Sequence, residues 1–320
     1  MKHFFSIFFS VIFLFSAVPA AVAQADVNIS TADTTNQDQK NREIFDRVYS
    51  KLAPQASLPM NELVVKVGLE FLGTQYLWAS LESVPEKLNV FLDKTDCILF
   101  VEMSTCFALT IKGKKIVQAG DGEHFALRTD AQGNLLPSVV DAAPSYELLC
   151  HNIRNMRYRL GEVTTYSSRV HYTSEWLLQN QTNGLMREYT RDLGKEMKQE
   201  FFYMSMHPKT YYQLSQDPCE LGRIRMMEEH LNEQKPYFIL TQQDLRKPEI
   251  MRQIKSGDII TFISPRPGLD LAHVAIAYEV KGEMHFIHAS YGKKKVIIEA
   301  ESLADYATNG IRITRLAPLK

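Results

Sequence analysis

The chain has 320 residues, 45% of them hydrophobic, with 36 Lys and Arg set against 37 Asp and Glu for a formal net charge of −1. No long basic run is present to track a phosphate backbone, so nucleic-acid binding has no electrostatic support. Four cysteines are too few for a disulfide-built scaffold, and no CxxC or CxxH spacing marks a structural zinc site.

The first 25 residues, MKHFFSIFFSVIFLFSAVPAAVAQA, run from Lys2 through an apolar core to small residues. Ala21-Val22-Ala23 and Ala23-Gln24-Ala25 both fit a small-x-small cleavage site, so residues 1–25 read as a secretory signal peptide. An uncleaved N-terminal anchor is the alternative. Cleavage would leave an exported protein, periplasmic or extracellular, with no membrane span. No cysteine precedes Cys97, which argues against a lipid-modified N-terminal cysteine. Residues 26–42 are polar and read as a flexible tether. The remainder, 43–320, is long enough for one domain with a substantial core.

Helical spacing recurs over 42–53 and over 60–73, the second preceded by Pro59. TQYLWASLES (74–83) loses the periodicity and reads as loop. DKTDCILFVEMSTCFALTI then predicts a long apolar helix starting near Thr95 or Asp96. Cys106, nine residues after Cys97, should face the opposite side of that helix. SYELLCHNIRNMRYRLGE predicts a helix ending near Gly161. TTYSSRVHYTSEWLLQNQTNG is polar and aromatic and runs into a short helix. GKEMKQEFFYMSM fits strand or helix equally. DPCELGRIRMMEEHLNEQ predicts a helix opened by Asp217 and Pro218. From Pro236 onward the pattern turns to strands, with antiparallel partners around a turn at Lys281-Gly282. A helix-rich half preceding a β-rich half makes this an α+β fold.

The chemistry centres on TDCILF. Thr95 or Asp96 can cap the helix and leave Cys97 in its first turn, where unpaired N–H groups and the helix dipole favour a thiolate. A buried, inert cysteine beside a cap is the plain alternative, since free cysteine is among the most buried residue types. A cysteine nucleophile needs a histidine base, and the base needs an orienting partner. His273 opens one predicted strand and His288 lies on the returning one. The turn at Lys281-Gly282 puts His288 opposite His273 or one pair diagonal, on the same face. Zinc is the rival explanation for this set, but no two of the three residues have the short spacing such sites use. No metal and no cofactor are expected. Among the remaining cysteines, one disulfide, Cys150 with Cys219, is open.

In order, FLGTQYLWASLE, TDCILFVE, SGDIITF, GLDLAHVAIAY and FIHAS resemble the papain-like, NlpC-type cell-wall cysteine peptidase superfamily. More closely, the chain is similar to the bacterial N-acetylmuramoyl-L-alanine amidase-like family, whose arginine, His-Tyr and Trp signature is matched by RYRLGEVTTYSSRVHYTSEWLLQN. The resemblance spans about Val67 to Ser290. It implies a papain-like fold, the nucleophile at a helix N-terminus packed on an antiparallel sheet, with an insertion over about 110–250. It implies Cys97 as nucleophile, His273 as base and His288 as orienting residue. Tyr76, His171, Tyr172 and Trp176 would line the groove, with core packing the alternative for Tyr172 and Trp176. Arg169 and Asp270 are further candidate substrate contacts, Arg169 and Glu102 fitting a structural ion pair equally well. TQYLWAS and DCILF depart from the commoner small-residue and Ser-Gly forms, which leaves the bond cleaved open. The reaction expected is amide hydrolysis in peptidoglycan by a monomer. A γ-D-glutamyl-diamino-acid endopeptidase and a non-catalytic wall-binding module are the alternatives.

Overall fold

The computed structural model describes residues 31–117 and 138–319. The expected signal peptide and the first residues of the expected tether lie outside the described residues. The rest of that tether is not flexible chain. Residues from Thr31 belong to helix α1 (Thr31–Leu52). Asn41, inside the polar stretch, is buried. Its amide donates to the Val90 carbonyl and the Tyr146 hydroxyl, and its side-chain oxygen accepts from Leu92 N–H. A low apolar content hid a helix that docks through hydrogen bonds as well as through Phe45, Val48 and Leu52.

Helix α2 (Met60–Glu70) follows, and then two short strands, β1 (Gln75–Tyr76) and β2 (Lys94–Thr95), inside the stretch expected as loop or just after it. Helix α3 (Cys97–Ile111) is capped by Asp96, whose Oδ1 accepts from Leu99 N–H at 2.9 Å. Every residue from Leu99 to Ile111 is buried. A helix apolar all round must be enclosed. Here α2 and α4 (Tyr146–Arg157) pack on one side and the main sheet on the other. Two polar residues on α3 are satisfied locally: Thr105 and Thr110 donate back to Val101 and Cys106 carbonyls, whereas the buried Ser104 hydroxyl has no partner among the described residues. Glu102 pairs with Arg157 of α4.

Strands β3 (Lys114–Ile116) and β4 (Val139–Asp141) form a small antiparallel ribbon. Helix α5 (Thr173–Thr182) leads to β5 (Met186–Glu188). GKEMKQEFFYMSM resolves into both readings: β6 (Lys195–Met197) and a helical turn at Tyr203–Met206. β6 pairs with β7 (Tyr237–Ile239) across the helix Pro218–Glu233. The C-terminal part contributes β8 (Ile259–Ile263), β9 (Leu271–Val280), β10 (Glu283–Ser290), β11 (Lys295–Ile298) and β12 (Ile311–Leu316).

The main sheet has eight strands in the order β2-β1-β11-β10-β9-β8-β12-β5. It is antiparallel except for the β1–β2 pair, which is parallel. β8 is buried along its whole length. Ile259 points with Val274, Ile276 and Ile287 into the core shared with α3. Ile260 and Phe262 point the other way, with Ala275, Phe286 and Ile313, under Leu240, Leu245 and Leu303. Covering on both faces explains the unbroken apolar run IITFI where a half-exposed strand would alternate. The β9–β10 hairpin turns at Lys281 (φ 53°) and Gly282 (φ 87°), the two positive φ values that a tight two-residue hairpin requires.

The insertion expected over 110–250 is woven into the fold. β5 extends the main sheet through β12, while Tyr166, Tyr172, Phe201, Leu214, Ile224 and Tyr237 form a core of its own. All four cysteines are free thiols, so the Cys150–Cys219 bridge does not form.

Candidate active site

Cys97 is the first residue of α3 and is half-buried. Its thiol sits against the Val274 N–H, one residue after His273 on β9. The helix start therefore lies beside the opening of the strand that carries the candidate base. The expected turn sets the register: Val280 pairs with Glu283 and Ile276 with Ile287, so His273 and His288 are diagonal neighbours. His273 Nε2 and His288 Nδ1 are 2.7 Å apart, with the rings nearly perpendicular. Phe262, Phe286 and Tyr306 surround the two imidazoles edge-on or tilted.

The electrostatics differ from the helix-start expectation. Burial and the adjacent Asp96 carboxylate push the Cys97 thiol up to about 12, against the N–H groups of Val274, Ile98 and Cys97 itself. Desolvation outweighs the helix terminus here. Burial likewise pushes His273 down to about 3; His288 adds to this and Glu299 opposes it. The resting pair is thus a neutral thiol and a neutral imidazole. Tyr76 packs its half-buried ring edge-on to Tyr291 at 5.5 Å. Burial, then the neighbouring Cys97 and Asp96, raise its phenol, which places it at the mouth of the site.

The other expected contacts lie elsewhere. Arg169 is buried, with its guanidinium paired to Glu86 and Glu82 and laid over the Tyr166 ring. Glu102 pairs with Arg157, so both ionic groups are structural. His171 Nε2 sits 2.8 Å from the Tyr166 carbonyl, and burial holds its imidazole well below the ordinary range. Tyr172 is buried: its hydroxyl donates to Glu228 at 2.6 Å and accepts from Met204 N–H. Trp176 is 3% exposed, inside the main core. Asp270 is buried and accepts from Ser174 N–H at the start of α5 at 2.6 Å. Arg169, His171, Tyr172 and Asp270 thus bond to protein, while Trp176 is held by apolar packing, its indole N–H buried without a hydrogen-bond partner among the described residues.

One acid at the site escaped the sequence reading. Glu299, just past β11, accepts from His288 Nε2 at 3.2 Å, and this contact helps hold its carboxyl at about 2. Its signal was available in principle: a four-residue β10–β11 turn over 291–294 pairs His288 with Ile297 and puts the acid at 299 diagonal to it. Among the described residues no group of three or more His, Cys, Asp or Glu is placed to hold a metal ion. No helix among them is long and apolar enough to cross a membrane.

The fold is that of amidase structures. A crystal structure of an N-acetylmuramoyl-L-alanine amidase from Bacteroides uniformis matches with a TM-score of 0.65 at 27% identity, covering 79% of this chain and 98% of that one. A Bacteroides fragilis protein described as a candidate xylanase matches at 0.63 and 28% identity, over 78% of this chain and 99% of that one. A Legionella pneumophila protein, at 20% identity and a TM-score of 0.58, covers 89% of this chain and 97% of its own and shares the fold alone. No curated protein matches. The family model described as N-acetylmuramoyl-L-alanine amidase-like matches residues 137–312, more than half of the chain, and the chain belongs to that family. The matched span holds His273, His288 and Glu299; Cys97 lies before it.

Proposed function

We propose that the protein is an exported cysteine amidase that hydrolyses an amide bond of peptidoglycan through Cys97, His273 and His288. The observation that carries this is the 2.7 Å contact between His273 and His288 beside a thiol at a helix start. In the attack, the Cys97 proton passes to His273 as sulfur bonds to the amide carbonyl. The oxyanion meets the Cys97 N–H, one of the donors that a helix start leaves without a helical partner. His273 then gives its proton to the departing amine, leaving an acyl-enzyme. Water, deprotonated by His273, hydrolyses the thioester. A thiol at a helix N-terminus packed on an antiparallel sheet, with an insertion before the base, also supports a papain-like, NlpC-type placement.

Of the two bonds on offer, the family favours the link between lactyl group and L-alanine over the γ-D-glutamyl–diamino-acid link within the stem. Tyr76 remains as a substrate contact, since its half-buried ring flanks the thiol. A glycosidase reading suits the site less well, because that chemistry calls for two free carboxyl groups across the scissile bond. Asp96 is committed as a helix cap and Glu299 to His288. The test is mass spectrometry of muropeptides digested by the wild type, Cys97→Ser and His273→Ala. Both variants should fold and leave the substrate intact. Full activity of Cys97→Ala, or chelator-sensitive activity restored by zinc, would overturn the thiol mechanism.

A further inference from the structure

Three strands put three side chains in a row. His273 on β9 and His288 on β10 are diagonal neighbours, and Ile297 of β11 pairs with His288. Two residues on from Ile297, with the period-two alternation of a strand, Glu299 comes diagonal to His288 on the same face. Its Oε1 is pinned by the N–H groups of Ala300 at 2.8 Å and Glu301 at 3.3 Å, while Oε2 meets His288 Nε2. We propose that Glu299 is a positioning residue that fixes the tautomers of both histidines and so leaves His273 Nδ1 as the bare nitrogen that takes the Cys97 proton. This rests on the reading of Cys97 and His273 as nucleophile and base.

An ionised carboxylate can only accept, so His288 Nε2 must carry a hydrogen. A neutral imidazole carries one, so His288 Nδ1 is an acceptor. Across 2.7 Å the facing Nε2 of His273 must then donate, and His273 Nδ1 keeps its lone pair. Among the described residues that nitrogen makes no hydrogen bond within the protein. When Cys97 transfers its proton, His273 becomes a cation whose Nε2–H still points at His288, and the Glu299 charge favours that cation through the intervening ring. Other titratable groups near Glu299 are Glu301, Tyr306 on the helical turn Leu303–Tyr306, and His285, whose Nδ1 lies 3.1 Å from the Glu299 carbonyl. Among the described residues none of them hydrogen-bonds His288.

The test combines long-range 1H–15N NMR of the labelled full chain with kinetics on muropeptides. In the wild type at neutral pH both rings should be Nε2–H tautomers. Glu299→Ala should give mixed tautomers and lower kcat about 10²-fold with KM nearly unchanged. Glu299→Gln, whose amide oxygen can still accept, should restore the Nε2–H tautomers and at least a tenth of wild-type kcat. If Gln turns its NH2 to the ring instead, both tautomers should invert and kcat should fall with them. Unaltered tautomers in Glu299→Ala would overturn the proposal, whether kcat is kept or lost, because Glu299 would then only anchor the end of β11. The spectra are read without turnover, so an active Cys97→Ser, which would sink the underlying mechanism, is a separate and distinguishable result.

Discussion

At Cys97 two local effects oppose each other. The helix start favours a thiolate, while enclosure and Asp96 favour the thiol, and the second pair wins. Iodoacetamide should therefore modify Cys97 slowly at neutral pH, the rate climbing about tenfold per pH unit from 7 to 10 without a plateau, because only the thiolate reacts. A plateau near pH 7 would mean a preformed ion pair. Asp96→Asn keeps a capping oxygen for Leu99 N–H but removes the charge beside the sulfur. The thiol should fall from about 12 and alkylation at fixed pH should speed up; an unchanged rate would remove Asp96 as a cause. The base behaves in the opposite sense. A His273 lowered to about 3 stays neutral as pH falls from 7 to 4, so protonation of this group should not reduce kcat/KM until below that window.

At the scale of elements, α3 is held where its first turn meets β9 by what its buried body touches. Glu102 and Arg157 are both almost fully enclosed and form one ionic joint between α3 and α4, extended by Arg157 Nη1 donating to the Asn89 carbonyl. Removing one partner leaves a buried charge alone. Glu102→Ala should cost about 3–5 kcal/mol, measured by urea unfolding. A double replacement by apolar residues of similar size should recover most of it, and a loss equal to the sum of the two single changes would show that the pair is not coupled. Trp176→Ala, deep in the same core, should cost about 3–5 kcal/mol. Its kcat/KM at low temperature should stay near wild type; a selective loss of kcat/KM without destabilisation would return Trp176 to the substrate groove.

For the whole molecule, the question is how a long insertion leaves the catalytic strands in register. It is tied on from several sides: β5 along β12, Asp270 to the start of α5, and Arg312 to both Glu188 and Ser174. At Gly268 (φ +77°) a Cβ would stand 2.6 Å from the Phe202 ring, so the loop leading to His273 is pressed against the insertion at a residue that must be glycine. Tyr172→Phe removes the hydroxyl that joins Glu228 to Met204 within the insertion core. It should cost about 1–3 kcal/mol of stability and leave kcat/KM on muropeptides unchanged; a fall in kcat/KM at full stability would put Tyr172 on the substrate.

Local physics was legible in the sequence alone. The cap at Asp96, the helix that follows, the tight turn at Lys281-Gly282 and the diagonal histidines all follow from short-range rules of capping, periodicity and register, and the structure has each of them. Tertiary structure decided what depends on distant partners. An arginine reads the same whether it will meet a substrate carboxylate or Glu86, and Tyr172 the same whether its hydroxyl faces solvent or Glu228. The polar first half of α1, up to residue 42, looked like tether because its anchors, Val90 and Tyr146, lie far along the chain. The protonation of Cys97 likewise turned on how far its neighbours desolvate a half-buried thiol, since desolvation is set by every neighbour at once and the helix start by only a few residues.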